Sequence, residues 1–177
     1  MNDFLYFIHT NLTEIGVKFY LCGSLALKEL GIIERKDIKD IDIVVENPED
    51  IIKIITTAPE IFFQNKRGSH SNLHSFSINN RILDIFCNDK EKLFLEKEFI
   101  SNGISFKIAI ADPITTIQAK EIYLNNIMAR VESENNAGGF INFSNLTSGE
   151  LERFKKHFND IADYRSWKIN EETKDLF

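Results

Sequence analysis

Residues 39–45 read KDIDIVV, and the fold turns on how that run is read. Ile41, Ile43 and Val45 suit a core strand, yet Asp40 and Asp42 interrupt them at a spacing of two. In an extended chain side chains alternate between faces, so the apolar groups share one face and the two carboxylates the other. Like charges that close raise the cost of ionising one another unless water screens them or a cation sits between them. The run therefore predicts a strand, about residues 40–46, with one apolar face and one acidic face.

On its N-terminal side, VKFYLC (17–22) is a short β-branched and aromatic run that stops at Gly23-Ser24, a buried strand. SLALKELG (24–31) opens on serine and closes on glycine, the start and stop signals of a short helix. Ahead of both, Phe4, Leu5, Ile8, Leu12 and Ile15 draw one stripe along an amphipathic helix ending at Gly16. On the C-terminal side, Pro48, Glu49 and Asp50 open a helix through about Thr57. LHSFSINNRILDIF (73–86) holds two alternating runs around Asn79-Asn80, which reads as an antiparallel hairpin. Lys90 to Glu98 reads as a short charged helix, Ile104 to Ile110 as a strand, and Asp112-Pro113 as the start of a helix reaching at least Asn125. From 126 to 147 periodicity fades through ENNAGGF, which reads as a loop and a candidate lid. Thr147 and Glu150 then form a capping-box pair ahead of a last helix, with Leu151, Phe154, Phe158, Ile161 and Ala162 on one side. The expected fold class is α+β: a mixed sheet flanked by helices in a core domain over 1–125, a loop over 126–147, and a C-terminal helical segment over 148–177 packed on the core.

The whole chain fits that picture. At 177 residues, 43% hydrophobic and 27% charged, it is long enough for one good core and ordinary for a globular domain. A net charge of -6 supplies no global basic field for non-specific nucleic-acid binding. No apolar run approaches the roughly 20 residues a membrane helix needs, and the N-terminus lacks a secretory signal, which together point to the cytoplasm and to no membrane partner. Cys22 and Cys87 lie in apolar runs without CxxC spacing, so they read as buried thiols rather than a zinc site or a disulfide.

The residues that carry chemistry are few. A strand that turns through Gly23-Ser24 into a helix offers backbone N–H groups and a hydroxyl to a phosphate oxygen, and Gly23 allows close approach; the same pair also serves as a plain helix start. Asp84 in RILDIF interrupts a second apolar strand as Asp40 and Asp42 interrupt the first. Three strand carboxylates make an oxygen-rich set suited to a hard cation such as magnesium; an exposed acidic face is the plainer reading. His70 and His74 lack the intervening glutamate of a zinc-protease helix and read as solvated. Lys66, Arg67 and Ser69 read as a solvated basic turn or as contacts to a nucleotide or acceptor phosphate, Lys120 as a partly exposed lysine lying over apolar neighbours or as a triphosphate contact, and Asp160 and Asp163 as structural carboxylates one helical turn apart.

Taken in order, GSLALKELG, then D-I-D, then a hairpin strand bearing one more aspartate resembles the nucleotidyltransferase superfamily, which includes DNA polymerase beta, antibiotic adenylyltransferases and nucleotidyltransferase-type toxins of bacterial defence systems. DPITTIQAKEIYL and KHFNDIADY are similar to the helical tail of its small members, so the resemblance spans about Val17 to Tyr164. It implies a metal-dependent enzyme that moves a nucleoside monophosphate from a nucleoside triphosphate to an acceptor hydroxyl and releases pyrophosphate. Asp40 and Asp42 would hold two Mg2+ ions, Asp84 would ligate the catalytic ion or take the hydroxyl proton, and Gly23 and Ser24 would bind the triphosphate. The acceptor, a small molecule, a protein or an RNA end, is not legible. The alternative is a non-catalytic nucleotide-binding or interaction module of the same fold, for example a toxin–antitoxin component acting on a partner protein.

Overall fold

The computed structural model describes residues 1–57, 66–70, 73–78, 81–134, 143 and 146–174. They fall into two compact units, Met1–Pro113 and Ile114–Phe177.

Among the described residues, the first unit is built on a mixed sheet of seven strands: β1 (Phe19–Cys22), β2 (Asp40–Val45), β3 (Lys66–His70), β4 (Leu73–Ile78), β5 (Arg81–Cys87), β6 (Leu93–Ser101) and β7 (Ile104–Ala111). Their order across the sheet is β3-β4-β5-β2-β1-β7-β6. The pairs β2–β5 and β1–β7 are parallel and the rest antiparallel. The α+β class is thus the one the sequence pattern predicts.

The alternation of KDIDIVV sets the layers. Ile41, Ile43 and Val45 are fully buried and join Phe19, Leu21, Leu83, Ile85, Ile108 and Ile110 on one face. Against them pack α1 (Asn2–Glu14), through Phe4, Leu5, Ile8 and Leu12, then α2 (Gly23–Glu29), through Leu25 and Ala26, and α3 (Pro48–Thr57), through Ile51 and Ile54. Each fully buried leucine or isoleucine contributes about 1.5–3 kcal/mol relative to an exposed one, which is why the stripe on α1 fixes that helix on the sheet. Its first turn is pinned to β6 as well: the Ser101 hydroxyl donates to Asp3 Oδ1 at 2.6 Å and Asn2 Nδ2 donates to the Ile100 carbonyl at 3.0 Å. Tyr6 and His9 lie on the Phe106 ring, at 5.2 and 5.4 Å between centroids, and burial there holds His9 below the usual histidine range. On the other sheet face a smaller cluster forms around Tyr20, Val44 and Ala111, with Cys22 and Phe86 beside it.

Two expectations about the sheet need correction. Residues 90–98, expected as a charged helix, instead supply most of β6, an edge strand whose Glu96 and Glu98 are exposed while Phe99 is buried against Phe106. The deciding element is the turn that follows: Asn102 and Gly103 both take positive φ, +50° and +80°, the two-residue hairpin geometry that Asn-Gly favours. The stretch 66–70, expected as a turn and loop, pairs with β4 as β3. The hairpin of β4 and β5 is present, while Asn79-Asn80, expected at its turn, lie outside the described residues.

The second unit contains most of α4 (Pro113–Glu134) and all of α5 (Ser148–Thr173). Residues 126–134, expected in a loop, continue α4; of the rest of that stretch, 135–142, 144 and 145 lie outside the described residues. The two helices run antiparallel, joined by Lys120–Asp160 at 3.0 Å, Tyr123 against His157 at 4.8 Å and Arg130–Glu150 at 2.8 Å. α5 starts at the expected capping box: Glu150 N–H donates to Thr147 Oγ1, and Thr147 N–H donates to the Glu150 carboxylate. The buried line of α5 runs through Asp160, Ile161 and Tyr164, whereas Phe158, expected on the apolar side, is 60% exposed.

Candidate functional site

The site is assembled by strand register. Asp42 on β2 lies directly beside Asp84 on the parallel neighbour β5. Asp84 faces Ser75 across the antiparallel pair with β4, and Asp42 faces Cys22 across the pair with β1. Directly opposed residues project to the same side, so Ser75, Asp84, Asp42 and Cys22 form one row across four strands, on the face opposite the main core. Neighbouring strands stand about 4.8 Å apart. Two aspartates are therefore neighbours in the middle of the sheet, where like charges raise the cost of ionising one another unless a compensating group is near. One such group is visible: the Ser75 hydroxyl donates a hydrogen bond to Asp84 Oδ1.

The turn after β1 closes the row from above. Gly23 sits at φ +68°, a conformation that L side chains rarely adopt, and a Cβ added to it would lie 1.9 Å from Asp42 Oδ2 and 2.5 Å from Asp42 Cγ. The backbone of Gly23 thus rests directly against the Asp42 side chain, an approach only glycine permits. Ser24 follows in the first turn of α2, half-buried.

Of the five residues singled out from the sequence, Asp42 lies against Gly23 and in register with Asp84, and Ser24 adjoins Gly23. Asp40 shares the face of Asp42 but is exposed and stands two residues further along β2, about 7 Å away at strand spacing. Among the described residues, no three His, Cys, Asp or Glu side chains gather closely enough to hold a metal ion by themselves.

Ser75 is the member of the row that sequence reasoning passed over. The β4–β5 register sets Ile78 opposite Arg81 and hence Ser75 opposite Asp84, so the hairpin expected from the sequence already carried the signal. The remaining candidates fall elsewhere. Lys120 and Asp160 form a buried ion pair inside the second unit, with side chains 8% and 1% exposed, and Asp163 is exposed. Neither cysteine forms a disulfide, and burial, followed by the charges of Asp89 and Asp50, pushes the Cys87 thiol up.

The fold and the row define an α+β domain whose mixed sheet presents paired carboxylates beside a glycine turn. No protein-family model matches the sequence, and none of the curated proteins matches it. Among solved structures, it is similar in fold to TM1012 of Thermotoga maritima, provisionally assigned as a nucleotidyltransferase, at 18% identity and a TM-score of 0.42 over 76% of this chain and 89% of that one. It is also similar to ANT(2'')-Ia in complex with adenylyl-2''-tobramycin, at 13% identity and a TM-score of 0.46 over 94% and 98% of the two chains. The solution structure of the same antibiotic-resistance factor gives 12% identity and a TM-score of 0.40 over 99% of each chain.

Proposed function

We propose that this protein is a metal-dependent nucleotidyltransferase that moves a nucleoside monophosphate from a nucleoside triphosphate to an acceptor hydroxyl. The observation that carries the reading is the convergence of three separate sequence features: the D-x-D strand places Asp42 in register with the third strand aspartate, Asp84, and the Gly-Ser turn rests against Asp42.

The residues present fit Mg2+. The donors are all oxygens, and Mg2+ is commonly held by one or two carboxylates together with substrate phosphates rather than by a complete protein cage. A carboxylate pair, Asp42 and Asp84, with Asp40 further along the same face, suits that mode. Divalent ions held there would offset the charge of the triphosphate and polarise the attacking hydroxyl.

The chain's own groups have distinct tasks. Asp40 and Asp42 would hold the cations that accompany the triphosphate, and Asp84 would serve as a ligand or accept the hydroxyl proton. Backbone N–H groups of the Gly23-Ser24 turn, with the Ser24 hydroxyl, hold the β and γ phosphates. The acceptor oxygen forms a bond to the α phosphorus, the bond to the bridging oxygen breaks, and pyrophosphate leaves with that electron pair. The acceptor is a small molecule, a protein or an RNA end, and the cytoplasm, where nucleoside triphosphates are abundant, is the proposed compartment. Among the described residues no helix is long and apolar enough to cross a membrane.

The test uses the four nucleoside triphosphates, each labelled at the α phosphate, incubated with Mg2+, cell extract and the protein. Label should move to an acceptor with release of pyrophosphate. Asp42→Ala and Asp84→Ala, each with the circular dichroism of the native protein, should abolish transfer. Transfer at the native rate by both variants refutes the assignment.

A further inference from the structure

The sheet row contains a group to which the proposed chemistry gives no task. Ser75 comes from β4, the strand on the far side of β5 from Asp42, and its hydroxyl donates to Asp84 Oδ1. Resting on the metal-site reading above, we propose that Ser75 is the positioning residue of that site, holding the Asp84 carboxylate in the orientation that binds the divalent cation.

Three observations support this. First, Asp84 is flanked in register by Ser75 on one side and Asp42 on the other. The carboxylate therefore has a hydrogen-bond donor towards β4 and a like charge towards β2. Second, the bond holds Oδ1 on the β4 side and so limits rotation about the Asp84 side-chain torsions. A carboxylate restrained in this way loses less freedom when it takes up a cation. Third, β4 is locked to β5 in continuous register from Leu73–Phe86 to Ile78–Arg81, with Phe76 and Ile78 buried in the core beside it. The hydroxyl is delivered by a fixed strand rather than by a loop, as a partner that orients a ligand requires.

The role belongs to the hydroxyl and not to side-chain size, and a pair of variants separates the two. Ser75→Thr keeps the hydroxyl; Ser75→Val has nearly the shape of threonine without it. Mn2+ binding, followed by the electron paramagnetic resonance of the free ion, is measured for the native protein, both variants, Ser75→Ala and Asp84→Asn, together with their thermal midpoints. Ser75→Val and Ser75→Ala should bind Mn2+ about 10- to 100-fold more weakly, the range typical for loss of a hydrogen bond to a metal ligand. Ser75→Thr should bind within about twofold of the native protein, a rescue that a merely structural serine would not give. Native-like affinity in Ser75→Val, alongside a loss in Asp84→Asn, overturns the Ser75 role and leaves the site standing. Absence of any Asp84-dependent Mn2+ binding in the native protein overturns the site and the Ser75 role together.

Discussion

Gly23→Ala tests whether the glycine turn and Asp42 are in contact. Two costs superpose. At φ +68° an L residue costs about 1–2 kcal/mol in backbone strain, of which about 0.4–1 kcal/mol is offset by the stiffer unfolded chain, leaving about 1 kcal/mol. The second cost is steric. The new methyl would fall 1.9 Å from Asp42 Oδ2, 2.5 Å from Cγ and 2.7 Å from Cβ, so the whole aspartate must move and not only its tip. Overpacking of this kind costs about 1–3 kcal/mol, for a total of about 2–4 kcal/mol. Gly31 provides the control, since it has φ +72° and nothing within 4 Å of an added Cβ. Gly31→Ala should cost the backbone part alone, about 1 kcal/mol. In urea unfolding with a slope of about 2 kcal/mol per molar, the two variants should differ in midpoint by about 0.5–1.5 M. In an Asp42→Gly background the steric part should vanish, which a double-mutant cycle reads as a coupling above about 1 kcal/mol. If Gly23→Ala and Gly31→Ala agree within about 0.5 kcal/mol and the cycle shows no coupling, the contact and the close approach inferred from it are both wrong.

Further predictions concern the second unit. Lys120→Met leaves the Asp160 carboxylate, 1% exposed, without its ammonium, and should cost about 3–5 kcal/mol by calorimetry. Lys120→Met with Asp160→Leu should recover most of that loss, because an apolar pair is close to neutral there; no recovery would mean that the ion pair is not what the single variant breaks. Glu150 is pushed down to about 2 from 4.5, first by the Thr147 backbone N–H and then by Arg130. A lowered folded-state pKa means that its stabilisation is present above about 4.5 and is lost as pH falls through about 2. Between pH 5 and pH 2 the native protein should therefore lose more stability than Glu150→Gln in urea titrations, and parallel curves would remove the capping box as the cause. Thr147→Ala should cost about 1 kcal/mol at pH 7 by the same method, and a change near zero would show that the cap is idle.

Much of this architecture is legible in the residues because local signals agree with the tertiary outcome. The alternation in KDIDIVV gives β2 and its two faces, and the stripe of Phe4, Leu5, Ile8 and Leu12 gives α1. Pro48 with its following acids gives the start of α3. The misreading of 90–98 has a physical cause: the charges of EKE, at a spacing compatible with a helix, mask a strand that buries little. Only Phe99 and Ser101 of β6 are buried, so the apolar alternation that marks a half-buried strand is nearly absent, and the stronger evidence lay in Asn102-Gly103. β3 was invisible for a similar reason, since KRGSH offers no apolar side to pattern. Within the site, the spacing of two between Asp40 and Asp42 correctly places both on one face. It says nothing of which of them stands beside Asp84, because that depends on the register of a parallel pair between segments about forty residues apart. In the second unit, the lysine of α4 and the aspartate of α5 were legible as residues but not as partners, for the same reason.

The proposed carboxylates hang from β5 and β2, and the glycine turn from β1, three adjacent strands with two more on either side. Fraying begins at the rims of a sheet, so thermal fluctuation reaches these atoms last. Ligand occupancy should accordingly slow deuterium uptake by amides of the central ribbons while leaving uptake at β3 and β6 nearly unchanged, and sequence drift at those two outer ribbons should be tolerated without disturbing the geometry of the proposed site.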